Sequence, residues 1–232
     1  MGPLQVRHDG AITVIPHSAG RLLAAIALIG PISRTRAASV LWPDTETARA
    51  AANLRSALSR LTDTVVTFID VSGDVMAMNE NVEVDVQEVH NWINAIIYAE
   101  PHKTPVAAPP AVIGNELLAG WDEAWLAEPR ERLKLLQTHA LETAAERLIA
   151  AGKTAEALPY ALSAVQAQPW SESANRLIIE IHARRGDPSN ALRRFHRFKD
   201  SLEKELGVQP GPDMLAAIRQ LYPFGTIPPV PE

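Results

Sequence analysis

Apolar residues come in two short bursts at the start of the chain, LQV (4–6) and ITVI (12–15), with His8-Asp9-Gly10 between them. The β-branched content and the Asp-Gly pair predict a hairpin that Pro16 closes. The spacing then turns helical. It predicts a helix over about 19–29 capped by Ser18 and stopped by Gly30-Pro31, and a second over 34–41 capped by Ser33. Trp42-Pro43-Asp44 ends the second helix, and Thr45 or Thr47 caps a third that runs to about Leu61. VVTFIDV (65–71), Ser72-Gly73-Asp74 and VMAM (75–78) read as strand, turn and strand. The first 80 residues thus have the order β-β-α-α-α-β-β.

From Asp85 the pattern is helical to about Leu221. Val86, Val89, Ile93, Ile96 and Ile97 form one apolar stripe. Four prolines in PHKTPVAAPPAVIG (101–114) exclude a regular helix there and predict a loop packed outside the helices. GKTAEAL (152–158) and GDPSNAL (186–192) lie 34 residues apart, the period of a tetratricopeptide helix pair. In each, glycine ends one helix, and Ala157 or Ala191 lets the pair approach closely. The fold class is therefore mainly α: an N-terminal winged helix of α+β type, followed by an all-α tetratricopeptide-like repeat domain. The expected boundaries are 1–82, 83–223 and a Pro-rich tail over 224–232.

On the third helix, Ala51, Leu54, Leu58 and Leu61 are expected to face the core. Arg49, Asn53, Ser56 and Arg60 share the opposite face, with Arg55 and Ser59 beside them. Arg matches the guanine edge and Asn the adenine edge in the major groove. A short helix, a turn, this second helix and a following hairpin make a winged helix-turn-helix. The bland alternative is a solvated amphipathic helix, since any exposed face carries charge and Arg favours helices.

Charge sharpens the choice. The 232-residue chain has a formal net charge of −5, and residues 1–95 hold seven arginines, no lysine and ten acids. A DNA-binding protein gains affinity by neutralising phosphates, so any DNA site here must be a local patch. Residues 34–60 supply one, with five arginines against Asp44 and Glu46. The expected wing, DVSGDVMAMNENVEVD, has no basic residue and several acids. A second basic run, RRGDPSNALRRFHRFK (184–199), carries Arg184, Arg185, Arg193, Arg194, Arg197 and Lys199 with Phe195 and Phe198 interleaved. It reads either as a helix pair with packed phenylalanines and solvated arginines or as a phosphate- or partner-docking patch.

Other chemistry is not signalled. There are no cysteines, so no disulfide or thiolate site is available. The sequence lacks a phosphate-binding glycine loop, a dinucleotide fingerprint and HExxH, and its seven histidines are scattered without ligand spacing. No cofactor, metal or enzyme activity is expected. Asp122 and Glu123 read as first-turn acids suited to a helix dipole, and Trp121 and Trp125 as core anchors of the repeat domain. No segment reads as a signal peptide or membrane span, which points to a cytoplasmic protein.

SRTRAASVLWPD followed by RAAANLRSALSRL resembles the DNA-binding region of the SARP (AfsR/DnrI/RedD-like) transcriptional regulators. The stretches starting ELLAGWDEAWLAEP and QPWSESANRL, with the terminal ELGVQP, are similar to the bacterial transcriptional activation domain (BTAD) that follows it in that family. The resemblance spans about 4–222. It implies a promoter-binding activator whose recognition helix is about Thr47–Leu61. Arg34 and Arg36, with Arg55 and Ser59, would lie where phosphates are gripped, and the helical repeat would contact RNA polymerase or another protein or form a homodimer. Thr62-Asp63, where the family often continues with arginine, and the acidic wing depart from that pattern. They leave open a protein-interaction adaptor that keeps the winged helix as a scaffold, or the output module of a longer sensor.

Overall fold

The computed structural model describes residues 3–8, 10–65, 68–100 and 105–221. Asp9 of the first turn, Val66 and Thr67 of the expected strand, the start of the Pro-rich loop and the Pro-rich tail lie outside them. The chain divides into two compact units, residues 1–90 with 110–132, and residues 91–109 with 133–232.

In the first unit, β1 (Val6–His8) and β2 (Ala11–Thr13) form an antiparallel hairpin with Arg7 opposite Ile12. Helix α1 (His17–Ile29) starts two residues earlier than expected, and Ser18 does not cap it. The fixed φ of Pro16 begins the helix and its carbonyl accepts the Ala19 and Gly20 N–H groups at 3.0 and 2.9 Å, so Ser18 falls inside the first turn. Ser33 does cap α2 (Arg34–Leu41), accepting the Arg36 N–H at 3.2 Å. Helix α3 spans Thr47–Val65, four residues past the expected end, because no Gly or Pro intervenes to stop it. Its extension shortens the next strand to β4 (Ile69–Ser72), which pairs with β5 (Val75–Met78).

One strand was not foreseen. β3 (Ile32–Ser33) pairs antiparallel with β5 through Ile32–Met76 and Ser33–Val75, giving a three-stranded sheet in the order β3-β5-β4. The Arg34 N–H continues this contact onto the Asp74 carbonyl at 2.9 Å. The sheet thereby ties the start of α2 to the wing. Leu22, Ile26, Ile32, Leu41, Leu54, Leu61 and Met76 are buried together in the core beneath it. α4 (Asp85–Tyr98) begins in this unit.

The second unit is built from α5 (Ala127–Ala150, from Leu133 on), α6 (Thr154–Ala167), α7 (Glu172–Arg184), α8 (Pro188–Leu206) and α9 (Pro212–Leu221). The two glycines of the repeat, Gly152 and Gly186, sit at φ 76° and 71°, a left-handed turn that residues with a Cβ rarely adopt. Ala157, Ala161, Leu177, Ile178 and Ile181 pack the α6–α7 pair with α5, and Ile179, Ala191, Phe195, Phe198 and Leu202 pack α7 with α8. Asp187 caps α8 and Pro188 begins it. The described part of the Pro-rich loop is held by Ala107, whose carbonyl accepts Trp92 Nε1 at 3.1 Å and the Tyr160 hydroxyl at 3.3 Å. No helix among the described residues is long and apolar enough to cross a membrane.

Candidate nucleic-acid interface

α3 buries Ala50, Leu54, Ala57 and Leu61, a stripe stepping by four, three and four residues. The expected core face (Ala51, Leu54, Leu58, Leu61) is therefore rotated, with Ala51 and Leu58 at its half-buried margin. Three consecutive alanines give the pattern no preference, and it is Ala50, with Ala57, that joins the core cluster containing residues of α1 and α2. Opposite the buried stripe, Ala48, Ala52, Ser56 and Ser59 are exposed and form a ridge of small residues. Exposed arginines flank it: Arg55 on one side, Arg49 and Arg60 on the other. Asn53 lies half-buried against the core margin. Arg60 is not wholly free, since its Nη1 donates to the Ser18 hydroxyl at 3.3 Å.

The preceding helix places Arg36 in solvent, whereas Arg34 is half-buried with its Nε buried and unpaired. Between the helices, Trp42 ends α2 and the Thr45 N–H turns back onto its carbonyl at 3.2 Å.

What holds this turn is Arg21 on α1, a residue the sequence pattern does not single out. Its guanidinium donates to the Leu41 carbonyl at the end of α2 and sits 5.4 Å from the Trp42 ring centre. It also pairs with Glu123 at 2.7 Å, and both side chains are largely buried, 17% and 14% exposed. Glu123 accepts Trp125 Nε1 at 3.1 Å and lies 3.6 Å from His17 Nε2. Glu123 is thus the counter-ion of the helix-turn-helix, not a dipole-complementing acid as expected. Trp125 packs on the winged-helix core, and Trp121 meets His17 edge-on at 4.8 Å. Neither tryptophan anchors the repeat domain, because residues 110–132 fold with the N-terminal unit.

The wing is a tight hairpin in which Ser72 pairs with Val75 and Gly73, at φ 60°, leads the turn. Asp70 is occupied by the Asn79 amide, whose Nδ2 donates to both its carboxylate oxygens at 3.0 and 3.1 Å. Asp74, Glu80 and Glu83 are exposed.

The basic run on α7 and α8 splits into two kinds of residue. Phe195 and Phe198 are buried, as the packing reading expected. Arg184 pairs with Glu180 at 2.8 Å. Arg194 donates through Nε and Nη2 to Oδ1 of the buried Asn175, at 2.9 and 2.6 Å. Burial, and then the neighbouring Arg197, lower the Arg194 pKa below the usual guanidinium range. Arg194 is a packing residue of the repeat. Arg185, Arg193 and Arg197 remain exposed, and Lys199 is half-buried.

Residues 113–222 match the family model of the bacterial transcriptional activator domain. Among solved structures, the chain is similar to Mycobacterium tuberculosis EmbR in complex with a low-affinity phosphopeptide, at TM-score 0.69 and 17% identity. The match covers 95% of this chain and 63% of that one. No curated protein matches the sequence.

Proposed function

We propose that this chain, which joins a winged helix to a bacterial transcriptional activator domain in the manner of the SARP-type regulators, is a sequence-specific DNA-binding transcription activator. The observation that carries this reading is the outer face of α3. Small side chains at Ala48, Ala52, Ser56 and Ser59 allow a close approach to the floor of a major groove, and Arg49, Arg55 and Arg60 reach out on both sides. Ser56 and Ser59 contribute hydroxyls. Asn53 reads a base only at the margin of the contact. Arg36 at the start of α2 grips phosphate, with Arg34 behind it, and such contacts set register without reading sequence. The helical repeat recruits a protein, RNA polymerase in the first instance, through Arg185, Arg193 and Arg197.

The test is a fluorescence-anisotropy titration of the chain against promoter fragments at low salt, with Arg55→Ala and Arg49→Ala beside it. A sequence-preferring complex is expected, with each substitution weakening it by about 1–3 kcal/mol where a bidentate base contact is lost. Binding indifferent to sequence, or unchanged by both substitutions, would refute the base-reading role. The acidic wing specifically favours a second reading, an adaptor that keeps the winged helix and binds protein in place of DNA. Absence of any complex with DNA at low ionic strength, together with a partner protein that protects residues 47–61, would select it.

A further inference from the structure

We infer that the winged-helix unit contains a binding site for a small, uncharged, largely aliphatic molecule. A cavity of about 710 Å³ opens between the first strand, α1, the root of the wing and the segment 110–118. That is the volume of an ordinary small-molecule site, and such sites are mainly apolar with a few polar groups. Its walls fit this description: Leu4, Val6, Leu23, Val84, Val112 and Leu117 line it.

The charged lining residues limit the ligand's charge. Arg7, Glu83 and Asp85 all line the cavity, so both signs are present with one more acid than base, which disfavours an anion and offers a cation no uniformly acidic wall. The amides of Gln5 and Asn81 line it too, and each offers a donor and an acceptor. A neutral molecule with an aliphatic body and a hydroxyl, amide or ester end matches this combination.

An independent feature marks the same wall. Leu118 also lines the cavity and has φ 50°, the single non-glycine residue with positive φ among the described residues. Backbone of this kind persists only where its surroundings enforce it, and it gathers at ligand clamps. Here Arg130 enforces it. Its guanidinium donates to the carbonyls of Leu117, Leu118 and Trp121 at 2.8, 2.7 and 2.9 Å. The fold thus holds a left-handed leucine at the cavity wall, its turn pinned by three hydrogen bonds from one guanidinium. Phe68, just before β4, and Met78, the last residue of β5, also line the cavity, so an occupant touches the base of the wing.

The site is tested with the full chain and the neutral fluorescent probe N-phenyl-1-naphthylamine, independently of any DNA. Saturable binding of one probe per chain is expected, weakened about tenfold or more in Ala27→Trp and Val112→Trp, which fill the cavity from α1 and from the 110–118 segment. Circular-dichroism melts identify a variant that fails to fold, and either folded variant suffices. A linear, non-saturating signal, or equal affinity in the folded variants, would overturn the site. Tighter binding of the anionic analogue 1-anilinonaphthalene-8-sulfonate would overturn the assignment of an uncharged ligand.

Discussion

Replacing Arg21 by Met isolates the joint of the helix-turn-helix. Methionine keeps the aliphatic packing on α1 but removes three things at once. The Leu41 carbonyl loses a charged donor, Trp42 loses its cation, and Glu123 loses the ion pair at 2.7 Å. The pair is buried enough for its loss to matter, with side chains 17% and 14% exposed. Removing one partner of a buried pair costs about 3–5 kcal/mol, mostly because the other charge is stranded. Glu123 keeps the Trp125 indole N–H at 3.1 Å, so the lower end of that range, about 3 kcal/mol, is expected. The change should be read by urea denaturation followed by tryptophan fluorescence, since Trp42, Trp121 and Trp125 all lie in this unit. Adding Glu123→Gln removes the stranded charge and keeps an acceptor for Trp125. The double variant should therefore be more stable than the sum of the single losses predicts, by about 1 kcal/mol or more. Additive losses, or a loss of under about 1 kcal/mol for Arg21→Met alone, would show that Arg21 does not brace the turn.

Three other changes probe separate parts of the molecule. Asp74→Lys with Glu80→Lys, both at exposed wing positions, should tighten DNA binding and steepen the slope of log affinity against log salt by up to about 2, measured by anisotropy between about 50 and 200 mM salt. Asn175→Ala should destabilise the repeat unit by about 3 kcal/mol in thermal melts, because the Arg194 guanidinium and the Pro169 carbonyl both lose their partner inside the helix pair. The Asp187 carboxyl is held below its ordinary pKa, first by the Asn190 side-chain amide, then by the Asn190 N–H, with a smaller contribution from His182. A depressed carboxyl stabilises the fold above its unfolded pKa and loses that contribution as pH falls through the folded one. Protection of the amides at the start of α8, relative to their intrinsic exchange rates, should therefore fall below the usual carboxylate range, and Asp187→Asn should flatten that dependence.

The parts of the fold legible in the sequence are those with local causes. Ser33 caps α2 because a serine one residue before a helix satisfies an orphan N–H. Gly152 and Gly186 mark the repeat because their left-handed turns favour glycine. The parts that escaped have partners distant in the chain. β3 is two residues long and shows no alternation, and it exists only because β5 lies alongside it. Arg21 and Glu123 look like isolated surface charges until residues 110–132 fold back onto the first unit. The rotation of α3 had the opposite difficulty. Its signal was local but degenerate, since Ala50, Ala51 and Ala52 fit either register, and the fold buries Ala50 with the core residues of α1 and α2. For the candidate site, the arginines were visible and their engagement was not. Arg60 reaches Ser18, and Arg194 is committed to Asn175.

The objection from charge also changes once the residues have places. Counted along the sequence, the first 95 residues are net negative and argue against DNA. In the fold, Asp70 already serves the Asn79 amide, and the Asp74 backbone fixes the start of α2 through the Arg34 N–H. The ridge of α3 carries no acid, and its three arginines are exposed. The repulsion is concentrated in the side chains of Asp74, Glu80 and Glu83, which belong to the wing and its exit. A protein so arranged gains little from the general attraction that holds most regulators near DNA between specific sites. On the proposed reading, a DNA complex rests on α3 and Arg36, so mismatched bases should cost a larger share of total affinity than they do for a basic winged helix. The same reading makes the acidic wing a discrimination against non-specific DNA as much as a loss of affinity. On this account the wing-to-lysine variant should gain more on random sequence than on the promoter. An equal gain on both would show that the wing acids play no part in selectivity.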